Sequence, residues 1–395
     1  MHRIIVVGRG MFGSAAARHL AKTIDGVALI GPGEPQNRAT HEGVFASHYD
    51  EGRMTRIVDP HPAWSITAKR SIERYGELEK SSGIRFFTRS GYLGIGDPEA
   101  EYLERSEEVG RAHGARFTRL DAPGIRARFP FLSVADDTRG LEEVGTAGHI
   151  SPRAFVRAQV AAARQLGVSV LDDEALEIRA ASTRVEVSTK GSGTLRADRV
   201  LVAVGAFTNV SGLLPIQLDI NVFARTVVLG RVGAQLMSEL QPMPTIGHAQ
   251  SGAYILPPIV YPDGNRYVKI GIGTPRDEQL FTRRDLTRWF KGVGSDDNFR
   301  DFRVFLRTLI PAVEHCRHWH TDSCVVAQTP TGLPYIDYVL DRKIAVAAGG
   351  NGKGAKSADD WGWLAARLMT DEDWDHPVKR EDVRARRRPT TASCA

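Results

Sequence analysis

The stretch Arg3–Gly13, RIIVVGRGMFG, decides how this chain folds. It begins with a β-branched apolar run, Ile4–Val7, which has the length of a short buried strand. Three glycines, Gly8, Gly10 and Gly13, follow in the spacing G-x-G-x-x-G, and the alanine-rich segment after them predicts a helix. A strand, a tight turn and a helix form the context in which this spacing binds a dinucleotide, with the pyrophosphate at the helix N-terminus.

One part of the dinucleotide fingerprint is missing. The second predicted strand, Val27–Ile30, is followed by Gly31, where an Asp or Glu would bind the ribose hydroxyls. Glu34 lies three residues further on and is our candidate for that contact. Arg38 is the alternative, as an arginine that would bind a ribose phosphate, but it lies far into the loop.

The composition is that of an ordinary globular protein of 395 residues, 42% hydrophobic and 25% charged, and this length predicts two domains. Because no apolar run approaches the ~20 residues that span a bilayer, we expect no membrane association. Three cysteines do not form a disulfide framework, and the N-terminus enters the first strand without a signal peptide. We therefore expect a cytoplasmic protein.

The net charge of +5 raises the question of nucleic-acid binding. Most of the excess charge lies in residues 376–395, which we predict to form a disordered basic tail, so we expect no nucleic-acid partner. The segment Glu314–His320 places His and Cys at alternating positions, as some zinc sites do. No second Cys/His cluster completes four ligands, so we predict no metal site.

The strand and helix patterns predict two discontinuous domains. One is a Rossmann-like α/β nucleotide-binding domain, since the apolar strands 200–204 and 344–348 have the composition of central parallel strands. The other is an α+β domain with a mostly antiparallel sheet. The charge-rich segment 98–144 predicts helices inserted into the first domain. The predicted pieces are 1–90, 150–215 and 324–375 for the nucleotide-binding domain, and 91–149 and 216–323 for the second domain.

With these pieces placed, the sequence resembles the FAD-dependent amine oxidases of the D-amino acid oxidase superfamily, in particular the branch of monomeric sarcosine oxidase, N-methyltryptophan oxidase and pipecolate oxidase. The resemblance covers nearly the whole chain except the basic tail. Six motifs in the same order carry it: Gly8–Gly13, Ser47-His48-x4-Arg53-x2-Arg56, Gly205-Ala206-Phe207, Lys269, Cys324-x3-Gln328-Thr329-Pro330 and Gly352-x-Gly354-x-Lys356.

The resemblance implies FAD as the cofactor. In this branch a cysteine is joined to the flavin 8-methyl group, and Cys324 occupies the matching position. Such a bond needs a thiolate with positive charge nearby; the alternative is that Cys324 is a small buried hydrophobic residue. The implied FAD contacts are Gly8, Gly10, Met11, Phe12, Gly13, Glu34, Ser47, His48, Gly205, Cys324, Gly352, Gly354 and Lys356.

The resemblance also implies a substrate site. Arg56 and Lys356 match two cations that hold the substrate carboxylate, and Tyr254 matches a tyrosine that contacts the substrate. A guanidinium offers a planar bidentate contact and an ammonium offers a point charge, so the pair suits a carboxylate. The alternative for Arg56 and Lys356 is an exposed position, and for Tyr254 a place in the wall.

Three further residues are implied as catalytic: Arg53 near the flavin ring, Lys269 as the lysine that activates oxygen, and Tyr49, which replaces a family histidine beside the flavin. A lysine in an apolar strand is costly to bury, so Lys269 either faces water or has a function. Gly273 replaces a second family histidine. These departures lie around the substrate and argue against sarcosine itself as the substrate.

The implied activity is oxidation of a secondary amine that bears a carboxylate, such as an N-methyl, N-substituted or cyclic amino acid. Hydride transfer to the flavin gives an imine, and O2 is reduced to H2O2. Two alternatives stay open: an amine dehydrogenase with a non-oxygen acceptor, and a non-catalytic nucleotide- or nucleic-acid-binding protein. We expect a monomer or small homo-oligomer whose partners are an amino-acid-like substrate and O2.

Overall fold

The structure is a computed structural model that describes residues 1–389. In chain order its strands are β1 (His2–Val7), β2 (Val27–Ile30), β3 (Arg53–Thr55), β4 (Phe87–Thr88), β5 (Tyr92–Gly96), β6 (Phe117–Leu120), β7 (Arg139–Glu143), β8 (Gly148–Ile150), β9 (Ser169–Leu171), β10 (Ala175–Ala180), β11 (Val185–Thr189), β12 (Thr194–Val202), β13 (Asn221–Arg231), β14 (Thr245–His248), β15 (Tyr254–Val260), β16 (Arg266–Gly271), β17 (Trp319–Gln328), β18 (Tyr335–Leu340) and β19 (Ile344–Ala348). Its helices are α1 (Met11–Ala21), α2 (Pro62–Ser82), α3 (Glu101–Ala112), α4 (Ala122–Arg128), α5 (Pro152–Gln165), α6 (Ala234–Glu239), α7 (Arg283–Lys291), α8 (Asp296–Leu309) and α9 (Ala358–Thr370).

The first sheet has a parallel centre in the order β19–β12–β1–β2–β9, and β10, β11 and β18 extend it with antiparallel pairs. Its central strands are apolar throughout because both faces are covered, and Ile4–Val7 of β1 is buried along its length. The α/β fold predicted from the sequence is therefore confirmed. The carboxyl ends of β1, β2 and β19 meet at one edge, where ligands bind in such sheets.

A buried ionic network fixes α1, the helix that follows the glycine turn. Asp359 on α9 accepts hydrogen bonds from Arg18 on α1 at 2.6 Å, Arg74 on α2 at 2.6 Å and Gln159 on α5 at 2.8 Å. Arg18 and Asp359 are almost completely buried. Because each of these charges has a partner, the network holds four helices in one arrangement under the first sheet.

The second sheet runs β17–β13–β16–β15–β14–β5–β7–β6 and is antiparallel except between β14 and β5. The purely helical prediction for residues 98–144 is wrong: the segment forms α3 and α4 but also β6 and β7, which complete the edge of this sheet. The predicted domain boundary at residue 324 falls inside β17, which belongs to this sheet. A small third sheet, β3–β8–β4, carries Arg53.

The prediction of a disordered tail is wrong for residues 376–389. Val383 lies in a short 3-10 helix and is completely buried, and Leu218 pairs with Arg387. The Arg388 amide donates to the Gln217 carbonyl at 2.9 Å. Residues 390–395 lie outside the described residues. Among the described residues, no helix is both long and apolar enough to cross a membrane.

Candidate active site

The glycine turn forms an open cradle between β1 and α1. Gly8 has φ +114°, and a Cβ there would lie 2.3 Å from the carbonyl oxygen of Ala203. A Cβ on Gly13 would lie 1.9 Å from the carbonyl oxygen of Gly8. A Cβ on Gly10 would meet nothing within 4 Å, so this residue borders open space at the start of α1. Two glycines thus permit the close packing, and the third leaves room for a ligand at the helix N-terminus.

A cavity of about 580 Å³ extends from this turn to the turn after β19. The two turns touch, since a Cβ on Gly354 would lie 3.2 Å from the Phe12 ring. Most of the residues predicted to bind the cofactor line the cavity, and these are Gly8, Gly10, Met11, Phe12, Ser47, His48, Gly205, Cys324, Gly352, Gly354 and Lys356. Among the other predicted residues, Tyr49, Arg53, Arg56 and Tyr254 line it, whereas Gly13, Glu34 and Lys269 do not.

Glu34 is placed away from the cavity, contrary to our expectation. Its carboxylate accepts two hydrogen bonds of 2.7 Å from Arg153 on α5. At the end of β2, Gly31 leaves space for Arg9, whose backbone nitrogen would lie 2.6 Å from a Cβ at residue 31. Arg9 lines the cavity and pairs with Asp172 at 3.1 Å. An arginine therefore stands where the fingerprint would place an acidic side chain.

The two predicted carboxylate-binding cations come together at the cavity, around a buried carboxylate that sequence reasoning missed. Asp59, completely buried, accepts a 2.5 Å hydrogen bond from Lys356 Nζ, and the same oxygen lies 3.5 Å from Arg56 Nη2. Arg56 also donates to the Tyr102 hydroxyl at 2.8 Å and stacks 4.6 Å from the Tyr92 ring centre. Asp59 does not itself line the cavity. It lies behind the two cations and fixes their relative position.

Burial and charge oppose each other in this cluster. Burial lowers the pKa of Lys356 to about 7, although Asp59 favours the charged form. Burial also disfavours ionised Asp59, but the charges of Lys356 and Arg56 outweigh it and hold the pKa of this carboxyl below its usual range. Arg56 Nε is buried without an acceptor among the described residues. The cluster therefore retains donor capacity for an anionic ligand.

Lys269 lies behind the cavity wall. Its ammonium donates to Asp50 at 2.5 Å and to the Gly52 carbonyl at 2.6 Å, and it lies 5.6 Å from the centre of the Tyr254 ring. Asp50 also pairs with Arg53, which does line the cavity. Burial, together with the charge of Arg53, holds the pKa of Lys269 well below its ordinary value. Lys269 can therefore influence the cavity through Tyr254 and Arg53 but does not form its surface.

Cys324 and Arg53 meet on the cavity wall. Arg53 Nη2 donates to Cys324 Sγ at 3.4 Å, and the Trp289 indole donates to the Cys324 carbonyl at 2.7 Å. Cys324 lines the cavity, so its sulfur lies beside a positive charge at the cavity surface. The arrangement is thus suited to a reactive cysteine rather than to an inert hydrophobic one.

The predicted wall residues beside Arg53 are neutral. Burial raises the pKa of Tyr49 to about 12 and lowers that of His48 to about 3, and their rings meet edge to face at 4.8 Å. His48 Nδ1 is buried and has no hydrogen-bond partner among residues 1–389. Tyr254 fits against Gly271, where a Cβ would lie 2.5 Å from the tyrosine hydroxyl.

Three further charged residues of the wall were missed by sequence reasoning. Lys353, between the last two glycines of the closing turn, lies 3.6 Å from Asp59, and Arg225 on β13 lies opposite Cys324 on β17. Arg283 lines the cavity and donates to Glu174 at 2.6 Å. The position of Lys353 in the glycine-rich turn was an available signal, whereas Arg225 and Arg283 lie in ordinary strand and helix patterns. In the part of the chain that the structure describes, no group of three His, Cys, Asp or Glu residues is placed to hold a metal ion.

Comparison with known proteins identifies the family. The model of the family described as FAD dependent oxidoreductase matches residues 3–371. This chain belongs to that family. It is therefore an FAD-dependent oxidoreductase, and the cofactor predicted from the resemblance is confirmed.

Curated relatives confirm the branch of this oxidoreductase. Over 384 residues, covering 95% of this chain and 94% of the relative, it is 25% identical to monomeric sarcosine oxidase from Arthrobacter sp. (strain TE1826). It is 28% identical over 235 residues to monomeric sarcosine oxidase from Bacillus sp. (strain B-0618). That alignment spans 58% of this chain and 57% of the Bacillus enzyme.

A solved structure agrees with the fold. The open form of NikD, described as an unusual amino acid oxidase essential for nikkomycin biosynthesis, superposes on this oxidoreductase with a TM-score of 0.76. The match covers 98% of both chains at 19% sequence identity, so it bears on the fold alone. Together with the family, it confirms an FAD-binding α/β unit combined with a second, mostly antiparallel sheet.

The cavity fits FAD on its own geometry. The open side of Gly10 faces the N-terminus of α1, which suits a pyrophosphate, and about 580 Å³ is a volume typical of cofactor sites. His48 Nδ1, which has no partner among residues 1–389, and the cations of the wall give a dinucleotide polar contacts along the cavity. The residues present therefore fit the cofactor of the family.

Proposed function

We propose that this oxidoreductase oxidises a secondary amine that bears a carboxylate and passes the electrons to O2. The observation that carries the proposal is the pair Arg56 and Lys356, which come from distant parts of the sequence and share Asp59 at the cavity. Arg56, Lys356 and the more exposed Lys353 surround the single buried counter-charge of Asp59, so the cluster keeps a net positive charge. That is the charge that a monocarboxylate would neutralise.

The chain's own residues would hold the cofactor as follows. The turn Gly8–Gly13 and the N-terminus of α1 would bind the pyrophosphate, and Cys324, whose sulfur accepts from Arg53, would form the covalent link. When bound, FAD supplies the two-electron acceptor, and the protein supplies position and electrostatics.

The substrate's carboxylate would be fixed by Arg56 and Lys356. Tyr102 and Tyr92 hold the guanidinium of Arg56, and Asp59 holds the ammonium of Lys356, so neither side chain has to reorganise when the anion binds. Such preorganisation reduces the cost of binding and sets the direction in which the amine lies. Arg56 and Lys356, which together form the carboxylate clamp, would then position the substrate carbon that is bonded to the amine nitrogen. No dedicated catalytic base is needed in this arrangement.

Arg53 would stabilise negative charge that develops beside it during oxidation of the amine. Its position is fixed by Asp50, which also accepts from Lys269. Burial makes protonated Lys269 unfavourable. Added negative charge in the cavity would favour the protonated form and would in turn be stabilised by it. We propose that Lys269 acts on oxygen chemistry through this network.

The dehydrogenase alternative gains support from one observation, because Lys269 is absent from the cavity wall among the described residues. Aerobic and anaerobic assays on the purified protein separate the two functions. An oxidase yields one H2O2 per amine consumed in air, whereas a dehydrogenase yields little H2O2 but reduces an added dye or quinone.

The test of the proposed function is a substrate panel on purified protein. N-methyl, N-ethyl and cyclic amino acids are assayed for H2O2 beside the same amines without a carboxylate. We expect turnover only with the carboxylate and at least a 100-fold loss of kcat/KM in Arg56→Met. Equal activity on amines without a carboxylate would overturn the proposal.

A further inference from the structure

Arg225 is held at the cavity wall in a fixed orientation. Its Nη1 donates to the Ala224 carbonyl at 3.1 Å and pairs with Asp277. Asp277 is nearly fully buried and also accepts from the Thr274 amide at 2.7 Å and from Asn298 Nδ2 at 3.1 Å. Because other donors secure Asp277, its carboxylate is a rigid support for the guanidinium.

The opposite edge of Arg225 is free. Both contacts involve Nη1, while Nε and Nη2 have no hydrogen-bond acceptor among the described residues. Gly273 lies over the face of this guanidinium, and a Cβ there would be 3.2 Å from Nη2, 3.4 Å from Cζ and 3.5 Å from Nε. Both residues line the cavity. The free edge therefore presents a pair of parallel N–H donors, from Nε and Nη2, the geometry that binds a carboxylate with two hydrogen bonds.

The charges of the wall favour an anion at this position. In residues 1–389, the acidic side chains that line the cavity are Asp173 and Glu174, which follow β9 beside the end of β2. The remainder of the wall carries Arg53, Arg56, Arg225, Lys353 and Lys356 and no carboxylate. Asp50, Asp59 and Asp277 lie behind these cations and do not line the cavity. An anionic group entering here meets donors and no exposed negative charge.

We infer that Arg225 is a specificity residue that binds a second acidic group of the substrate, so that the preferred substrates are N-alkyl or cyclic amino acids with an acidic side chain. This inference rests on the proposed function, in which Arg56 and Lys356 bind the first carboxylate. The free Nε–Nη2 edge of Arg225 takes the second. A neutral side chain would leave the charged edge of Arg225 without an acceptor from the substrate.

Binding of non-oxidisable acids tests the inference without turnover. The purified holoenzyme is titrated with glutarate and with butyrate, followed by thermal shift. A charge-assisted contact predicts that glutarate binds about 10- to 100-fold more tightly than butyrate. The ratio is expected to fall toward one in Arg225→Gln, which removes the guanidinium. Arg288→Gln, at an exposed arginine paired with Glu278, is the matched control and keeps the ratio.

Turnover separates this inference from the proposed function. N-methyl-L-glutamate is compared with N-methyl-L-glutamine, which has the same shape without the charge, and we expect the first to have at least a tenfold higher kcat/KM, mainly through KM. Preference for the glutamine derivative, or a glutarate-to-butyrate ratio near one in the native protein, overturns the inference while the proposed function stands. Selective glutarate binding without oxidation of any N-alkyl amino acid supports the anion site and overturns the proposed function.

Discussion

Replacing Lys356 with methionine tests how the carboxylate clamp works. In the native cluster Asp59 lies 2.5 Å from Lys356 Nζ, 3.5 Å from Arg56 Nη2 and 3.6 Å from Lys353 Nζ. The substitution keeps the length of the side chain but removes the closest cation from a completely buried carboxylate. The variant therefore loses one contact to the substrate and also leaves Asp59 undercompensated.

Two terms set the size of the effect. A hydrogen bond between charged groups contributes about 1.5–3 kcal/mol, so its loss weakens carboxylate binding by about 10- to 150-fold. In addition, Asp59 now repels the incoming anion. At an effective dielectric constant of about 20, two carboxylates ~4–8 Å apart repel by about 2–4 kcal/mol, part of which Arg56 and Lys353 still offset. We expect the dissociation constant of a carboxylate ligand to rise by at least 100-fold in Lys356→Met.

The double variant Asp59→Asn/Lys356→Met separates these two terms. It removes the repelling charge together with the cation, so carboxylate binding is expected to recover by about tenfold relative to Lys356→Met. The assay is a titration of propionate against the native protein and both variants at pH 6.5, followed by thermal shift. Native affinity in Lys356→Met, or weaker binding in the double variant than in the single one, would refute the reasoning.

Three further predictions follow from the same contacts. Burial lowers the pKa of Lys356 to about 7, so carboxylate affinity is expected to fall as the pH rises through about 7. Lys356→Arg stays charged and should give a flat affinity profile up to pH 9. The same pH profile in both proteins would count against a titrating Lys356. Asp359→Asn leaves Arg18 without its buried carboxylate, and Arg74 keeps only Asp360, so the change should cost about 3–5 kcal/mol of unfolding free energy, a fall in Tm of about 4–6 °C for a chain of this length. Lys22→Gln, at the exposed pair with Glu77, should cost under about 1 kcal/mol. Equal losses by calorimetry would contradict the network's role. Cys324→Ser should release the flavin into the supernatant on acid precipitation. Cys316 is a buried cysteine away from the cavity, so Cys316→Ser should keep the flavin in the pellet. Release of the flavin by the native protein would rule out the covalent link.

The nucleotide-binding unit could be predicted because its signals are local. Val27–Ile30 and Ile344–Ala348 are found where the sequence predicts them, since strands buried on both faces consist of apolar residues only. The glycine turn is equally local, because Gly8 needs a positive φ and Gly13 needs close packing with its neighbour. These constraints act within a few residues, so they can be recognised from the sequence without a structure.

The edge of the second sheet could not be predicted in this way. Strand β6, Phe117–Leu120, is mostly exposed and carries an arginine, so it lacks the alternation of a half-buried strand. In β7 the inward residue Glu143 is a completely buried acid, which accepts hydrogen bonds from the Ile57 and Val58 amides at 3.0 and 2.8 Å. In the sequence, a buried acidic residue whose hydrogen bonds come from distant backbone groups cannot be distinguished from a surface residue.

The cation pair of the site could be predicted only through the resemblance, and its counter-charge could not be predicted at all. Asp59 follows Arg56 by three residues, but its contact with Lys356 depends on the packing of α2 against the closing turn. The burial of Lys269 has the same origin, because Asp50 and the Gly52 carbonyl reach it from a distant loop. Long-range ionic contacts of this kind leave no periodic pattern.

Recognition of the substrate carboxylate by Arg56 and Lys356 is measured most directly by comparing an N-methyl amino acid with its primary amide. The amide has nearly the same shape and the same amine but no negative charge, so the ratio of the two kcat/KM values reports the clamp alone. We expect the acid to be favoured by at least 100-fold in the native protein and by less than tenfold when both Arg56 and Lys356 are replaced by methionine. Equal kcat/KM for acid and amide in the native protein would contradict the account.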